Sequence, residues 1–542
     1  MNRDPVKEYL LSSITAKAWN KVGVYPHHGI DLSLASLRSQ ASCGIGDFYD
    51  LIPMIRWCKE VGFDVIQLLP LNDSGSDPSP YNAISSCALH PIYLSLSHLP
   101  FVEEDKALQY LITQMQTFNS AEHVPYAKIL SQKLAFLQLY YKKYSTHWLH
   151  SEEYKTFIHK WDWVQPYALF KALKQDLGPQ DFLHWPAEIQ RPSEKTYKEL
   201  THHYADNIAF HSLLQHLCLL QFTYISSCAN KDNILIKGDI PILISADSAD
   251  VWHYPDLFTL DFRAGAPPDQ YNQEGQYWGF PLFNWKMMEK HHFHWWQQRL
   301  EYASYCYHLF RVDHVIGFFR IWAITKDGDP KTGLYIPSNA SIWEEQGRRN
   351  LEKMVSFTHM LPIAEDLGTV PPMAPAVLQE MGICGTKVMR WERYWNTDSR
   401  YIPPAEYPPL SMTTISTHDS PTLAQWWRDF PEEAIPLCAS YGWDYVPVLS
   451  PMQRKQILTD SHQTKSLFHI NLLQEYLNLY PELSWGDPDQ ERINIPGTVV
   501  DTNWTYKIQP SIETILAHKD LKKTICTMLC PRSTTGCAHQ PE

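Results

Sequence analysis

A chain of 542 residues with a formal net charge of −13 lacks the clustered basic excess that a nucleic-acid partner requires. A hydrophobic share of 44% against 19% charged residues excludes general disorder and provides for a large folded core. Aromatic residues reach 13%, with 20 Trp and 30 Tyr, and rings not needed in the core are suited to stack on the flat apolar faces of sugars.

Residues 1–20 read as a short helical lead-in with Leu10, Leu11 and Ile14 on one side. Asp4 and Glu8 interrupt the start and no apolar run of signal-peptide length follows; no stretch approaches the ~20 apolar residues of a membrane span. Short apolar runs then recur at 21–25, 64–70, 234–245, 307–315, 361–367, 386–390, 412–418 and 497–500. Eight buried-type strands with helical stretches between them predict a parallel α/β sheet, and eight is the number that closes a (β/α)8 TIM barrel, here over 21–529. About 165 residues separate the second and third runs, too many for a loop. The patterns at 126–144 and 167–177 predict helices, so an inserted helical subdomain is expected at about 99–230. The stretch 247–293, rich in Trp, Tyr, Gly and Pro, predicts an ordered loop insertion after the third strand, where barrel enzymes build substrate contacts. Residues 530–542 are expected to form a flexible tail.

Eleven scattered cysteines, an odd number, imply no disulfide framework. The one close pair, Cys526 with Cys530, lacks the matching second pair of a zinc site, and reduced thiols in a cytoplasmic protein are expected.

Three of the strand ends carry acid groups. The fourth run ends in Arg311-Val312-Asp313-His314, the fifth in Ala364-Glu365-Asp366-Leu367-Gly368, the seventh in Thr417-His418-Asp419. In a barrel all three ends converge on one face and one pocket. Side chains two apart on a strand share a face, so Arg311 can pair with Asp313 and keep it ionised. Glu365 has no basic neighbour in sequence and is the better candidate for an acid of raised pKa. Asp313 as nucleophile, Glu365 as acid and then base, and Asp419 as a clamp on sugar hydroxyls would give a double displacement with retained configuration. Any one of these acids taken alone is more often a helix N-cap; it is their joint placement that points to chemistry.

These three motifs, in this order, resemble the conserved regions of the amylomaltases, the 4-alpha-glucanotransferases or disproportionating enzymes of the alpha-amylase clan. Gly44-Ile45-Gly46-Asp47-Phe48, Leu69-Pro70-Leu71 with Ser79-Pro80-Tyr81, and Lys237-Gly238-Asp239-Ile240-Pro241-Ile242 through Asp247-Ser248-Ala249-Asp250-Val251-Trp252 extend the likeness. So do Ala264-Gly265-Ala266-Pro267-Pro268-Asp269, Gly275-Gln276-Tyr277-Trp278-Gly279, Asn494-Ile495-Pro496-Gly497-Thr498 and Asn503-Trp504, so that it covers 22–507. The resemblance implies transfer of an alpha-1,4-glucan segment to the 4-hydroxyl of a glucose or glucan acceptor, with maltooligosaccharides as donors, no cofactor or metal, and no membrane or nucleic-acid partner. It assigns Asp313 as nucleophile, Glu365 as acid/base and Asp419 as transition-state stabiliser. Arg311, His418 and Tyr81 would hold the sugar beside the cut bond, Asp247 would bind a hydroxyl, and Tyr271 and Trp278 would lie on the loop arching over the glucan. The chain departs from the family pattern at 72–77 and at Gln270-Tyr271-Asn272, which bears on acceptor choice. His291, His292 and His294 read as surface histidines rather than a metal cluster. No separate C-terminal β domain is expected. A retaining alpha-glucan hydrolase shares the covalent intermediate and stands as the alternative, with a non-catalytic glucan-binding protein as a third reading.

Overall fold

Eight parallel strands close on one another: β1 (His27–Leu32), β2 (Val65–Leu68), β3 (Leu235–Ile240), β4 (Leu309–Val312), β5 (Leu361–Ala364), β6 (Gly385–Val388), β7 (Ser411–Thr414) and β8 (Phe468–Leu472). The computed structural model describes residues 4–269, 272–395 and 397–530. The strand order is β5-β4-β3-β2-β1-β8-β7-β6, and a bridge from Ile363 to Cys384, with Ala364 N–H donating to the Cys384 carbonyl at 2.7 Å, joins β5 to β6. The result is the expected (β/α)8 barrel. Residues 531–542, most of the expected tail, lie outside the described residues.

Two of the eight expected strands are elsewhere. Residues 21–25 close the helix Ala16–Val22 and turn toward β1, and residues 497–500 belong to a loop at the barrel mouth. The true first and last strands, His27-His28-Gly29-Ile30-Asp31-Leu32 and Phe468-His469-Ile470-Asn471-Leu472, carry polar groups that break the apolar run, yet they are buried, and their histidines and Asn471 find partners inside. His27 Nδ1 meets Asp64 at 2.7 Å, and Asn471 accepts from the Ile415 N–H and donates to Ser461.

Between β2 and β3 the chain runs through several helices and ends in Ala205–Asp232. Contrary to the expectation that no stretch approaches a membrane span, this last helix is long and apolar enough for one by length and composition, but most of it is buried within the protein against Leu51–Val61, Tyr126–Leu149 and Val164–Leu177. A helix covered on most sides needs no single apolar stripe. After β3, Phe262–Ala266 and Gln276–Tyr277 form two strands of a four-stranded antiparallel sheet, completed by Ile321–Thr325 and Leu334–Ile336 from the β4–β5 connection. The loop insertion is therefore anchored to a second excursion of the barrel. At the seam a Cβ on Gly265 would lie 2.1 Å from the Gln276 carbonyl oxygen, so only glycine permits the strands to meet there.

His28, His462 and His469 cluster where β1 meets β8. His28 Nδ1 faces His462 Nδ1 at 3.0 Å, and the His28 and His469 rings stack at 4.7 Å. Burial, reinforced by the neighbouring imidazoles, lowers His28 and His469 to about 4 and holds His462 well below its usual value. Depressed folded-state values mean that the unfolded chain takes up more protons, so this stability is present above pH ~6.5 and is lost as pH falls toward 4, by roughly 3 kcal/mol for one imidazole shifted that far. Buried carboxyls such as Asp50, raised by burial to about 7, titrate with the opposite sign, so the difference from a variant isolates the histidines. Urea midpoints measured from pH 7 to 4.5 are expected to fall less steeply in His28→Gln than in the wild type; parallel curves contradict the assignment.

Candidate active site

A cleft of about 1170 Å³ opens at the carboxyl ends of the strands, and Asp313, Glu365 and Asp419 all line it. Arg311, near the end of β4, organises its centre. Its Nη1 donates to Asp313 Oδ1 at 2.8 Å and to both oxygens of Asp239 at 2.9 and 3.0 Å, while Nη2 lies 3.8 Å from Glu365 Oε2. Two carboxylates reached by one guanidinium are close neighbours, which fits the ~5–5.5 Å separation of a retaining pair. The Tyr81 hydroxyl donates to Asp239 Oδ2 at 2.6 Å, and the Tyr81 ring stacks on His418 at 5.2 Å.

Just past β4 the chain turns through His314 in the left-handed region, φ +41°. A non-glycine residue there is strained. The turn directs the His314 N–H to Glu365 Oε2 at 2.8 Å, and the His314 ring meets Trp278 edge-on at 4.8 Å. The Leu367 N–H donates to the other oxygen of Glu365 at 3.0 Å. Burial pushes the Glu365 carboxyl up to about 7; Arg311 pulls it down, Asp313 adds to the rise, and burial prevails. An acid at that value can give a proton and take it back near neutrality.

Asp419, past β7, has a side chain 44% exposed to the cleft, whereas its neighbour His418 is 3% exposed. Asn494 Nδ2 donates to Asp419 Oδ1 at 2.7 Å; His418 Nε2 lies 3.3 Å from Oδ2, an ion-pair distance without hydrogen-bond alignment. Burial favours the neutral carboxyl, but His418 and Asn494 together outweigh it and hold Asp419 well below the usual carboxylate range. Burial likewise opposes a charged His418, and Asp419 overcomes it to raise the imidazole. The site thus holds one carboxylate firmly ionised beside an acid poised near neutrality.

Residues 32–513 match the family model described as 4-alpha-glucanotransferase. The chain belongs to that family. A 4-alpha-glucanotransferase of Chlamydia trachomatis serovar D is 43% identical over 96% of this chain and 98% of its own length. Amylomaltase structures from Streptococcus agalactiae, in complex with acarbose, and from Corynebacterium glutamicum share the fold with TM-scores of 0.76 and 0.75. They are 23% and 20% identical, covering 93% and 95% of this chain and 98% and 76% of theirs. The activity of this glucanotransferase is the transfer of alpha-1,4-glucan segments with retention.

Not every residue singled out in the sequence reaches the cleft. Arg311, Tyr81, His418 and Trp278 line it; Tyr271 lies outside the described residues. Asp247 is not among the lining residues. Its carboxylate pairs with Lys174 and accepts from the Phe182 N–H at 3.1 Å, so it ties the end of the third-strand region to the helical layer. His291, His292 and His294 are exposed, and no group of three or more potential ligands is disposed for a metal among the described residues.

Several residues of the site escaped assignment. Asp239, next to last on β3, is buried under Arg311, and a carboxylate near a strand end was the available signal. Arg492, Asn494 and Trp504 come from a loop after β8; Asn494 and Trp504 stand in motifs that carry the family resemblance, but no role was assigned to them. Arg492 donates to the Asp419 carbonyl at 3.0 Å, and Trp504, itself left-handed at φ +63°, packs 5.5 Å from Tyr81 and 5.9 Å from His418. Removing the amide in Asn494→Ala frees the Asp419 carboxylate to swing. If Asp419 binds the distorted sugar, kcat is expected to fall about tenfold with little change in KM, since only the transition state loses the contact. An increase in KM alone would contradict that role.

Proposed function

We propose that Asp313, Glu365 and Asp419 carry the transfer, acting on maltooligosaccharides and longer alpha-1,4-glucans as donors and on glucose or a glucan as acceptor. The observation that carries the reading is the single Arg311 guanidinium that contacts Asp313 and reaches Glu365. Asp313, oriented by Arg311 and the Ile242 N–H at 3.3 Å, attacks the anomeric carbon. Glu365, protonated below about pH 7, gives its proton to the departing oxygen. The acceptor 4-hydroxyl then enters, loses its proton to Glu365 and displaces Asp313, restoring the original configuration. Asp419, held ionised by His418 and Asn494, grips hydroxyls of the distorted ring.

Hydrolysis differs only in admitting water at the second step. Trp278, Asn272, Asp269 and Pro267 line one wall of the cleft on the anchored insertion, a cover suited to excluding water. Incubation with maltotriose is expected to give glucose and a ladder of longer maltooligosaccharides. Glucose and maltose alone would mean hydrolysis, and unchanged maltotriose would mean a binding protein. All ten described cysteines are unpaired, which supports a reducing, cytoplasmic setting.

A further inference from the structure

One carboxylate in the cleft has no place in this mechanism. Asp31, on β1, is 6% exposed, lines the cleft, and leaves its Oδ1 without a hydrogen-bond partner. The register explains where it sits. Asp31 pairs with Gln67 of β2, Gln67 with Lys237 of β3, and in the next layer toward the mouth Asp239 pairs with Arg311 of β4. Asp31, Gln67 and Lys237 therefore form a row directly beneath the layer that holds the nucleophile's arginine. Lys237 is fully buried and donates to Gln67 Oε1 at 2.5 Å, with Met412 Sδ at 3.0 Å across the barrel. Its charge steadies a carboxylate in the floor without occupying that carboxylate's oxygens.

A buried acceptor left open is costly unless something completes it. Burial pushes the Asp31 carboxyl up to about 6, while His418 and Lys237 pull it down, so at neutral pH it is an ionised acceptor. His418, Lys237 and Arg311 act on it as cations and Asp239 as an anion, and it faces a cleft lined by Asp313, Glu365, Asp366 and Asp419. The group it receives should be a donor without charge of its own, and a sugar hydroxyl is such a group.

We propose that Asp31 is a further substrate contact, accepting a hydrogen bond from below from one ring hydroxyl of the glucosyl unit seated over Asp313. The inference rests on the proposed placement of that unit, which replacement of Asp313 tests separately. A glucosyl unit linked through its 4-position offers the 2-, 3- and 6-hydroxyls, and the floor contact selects one of them.

The test pairs variants with trimmed donors. Initial fluoride release is measured from alpha-maltosyl fluoride and from its 2-, 3- and 6-deoxy analogues, each altered on the fluoride-bearing ring, with glucose as acceptor. Asp31→Leu keeps the branched shape and removes the acceptor. It is expected to lower kcat/KM for the parent donor about 10- to 100-fold, the loss of one charge-assisted hydrogen bond. The penalty should shrink to within about twofold for the one analogue that lacks the partner hydroxyl. Asp31→Asn, which keeps a neutral acceptor and the packing, should show a smaller loss with the same selectivity and stands in if the leucine variant does not fold. A role confined to packing or to the charge of Lys237 lowers all four donors alike. An equal penalty on every donor, or no penalty on any, overturns the contact.

Discussion

Replacing Asp313 by Asn is expected to abolish the maltooligosaccharide ladder while leaving the protein folded. The amide is nearly isosteric, and Arg311 keeps its two hydrogen bonds to Asp239, so the guanidinium is not stranded. What disappears is the group proposed to form a bond with the anomeric carbon. Loss of a nucleophile whose partners act as a unit costs about four orders of magnitude or more in kcat. Single-turnover assays on maltotriose, with circular dichroism as the folding control, measure this. A variant retaining a tenth of wild-type transfer would remove Asp313 from the role.

Glu365→Gln separates the two half-reactions. The amide cannot protonate a departing sugar, so transfer from maltotriose should fall by about three orders of magnitude or more. Fluoride departs without that proton, and alpha-maltosyl fluoride should still glycosylate the variant. The second half-reaction then stalls for want of a base, and azide, a nucleophile with no proton to lose, should restore turnover and yield the alpha-configured glycosyl azide. The pH dependence carries the sign of the shift. With the wild type, kcat/KM should fall as pH rises through about 7, where the buried carboxyl loses its proton. In Glu365→Gln acting on the fluoride that basic limb should vanish. A limb that persists would place the titrating acid elsewhere.

The barrel was most legible where its strands are mostly apolar. β2, Val65-Ile66-Gln67-Leu68, and β5, Leu361-Pro362-Ile363-Ala364, show themselves as short apolar runs because both of their faces are buried. β1 and β8 did not, because His27, His28, His469 and Asn471 are satisfied by partners distant in sequence, which no local pattern reveals. The same division runs through the site. Asp313 and Glu365 directly follow β4 and β5, Asp419 comes five residues after the end of β7, and a barrel sends such ends to one place. Asn494 and Trp504 reach the cleft on an irregular loop, and Asp31 faces it from a strand whose polarity hid it. Asp247 shows the converse: a carboxylate after β3 that the family resemblance assigns to a sugar hydroxyl, and that Lys174 of the helical layer draws aside.

The central claim, a covalent glycosyl unit on Asp313, can be observed directly. Glu365→Gln, incubated briefly with alpha-maltosyl fluoride, quenched in acid and digested, should yield one peptide carrying a maltosyl ester, with fragmentation assigning the ester to Asp313. An unmodified digest from an enzyme that releases fluoride, or an ester on Asp419 or Asp31, would contradict the account.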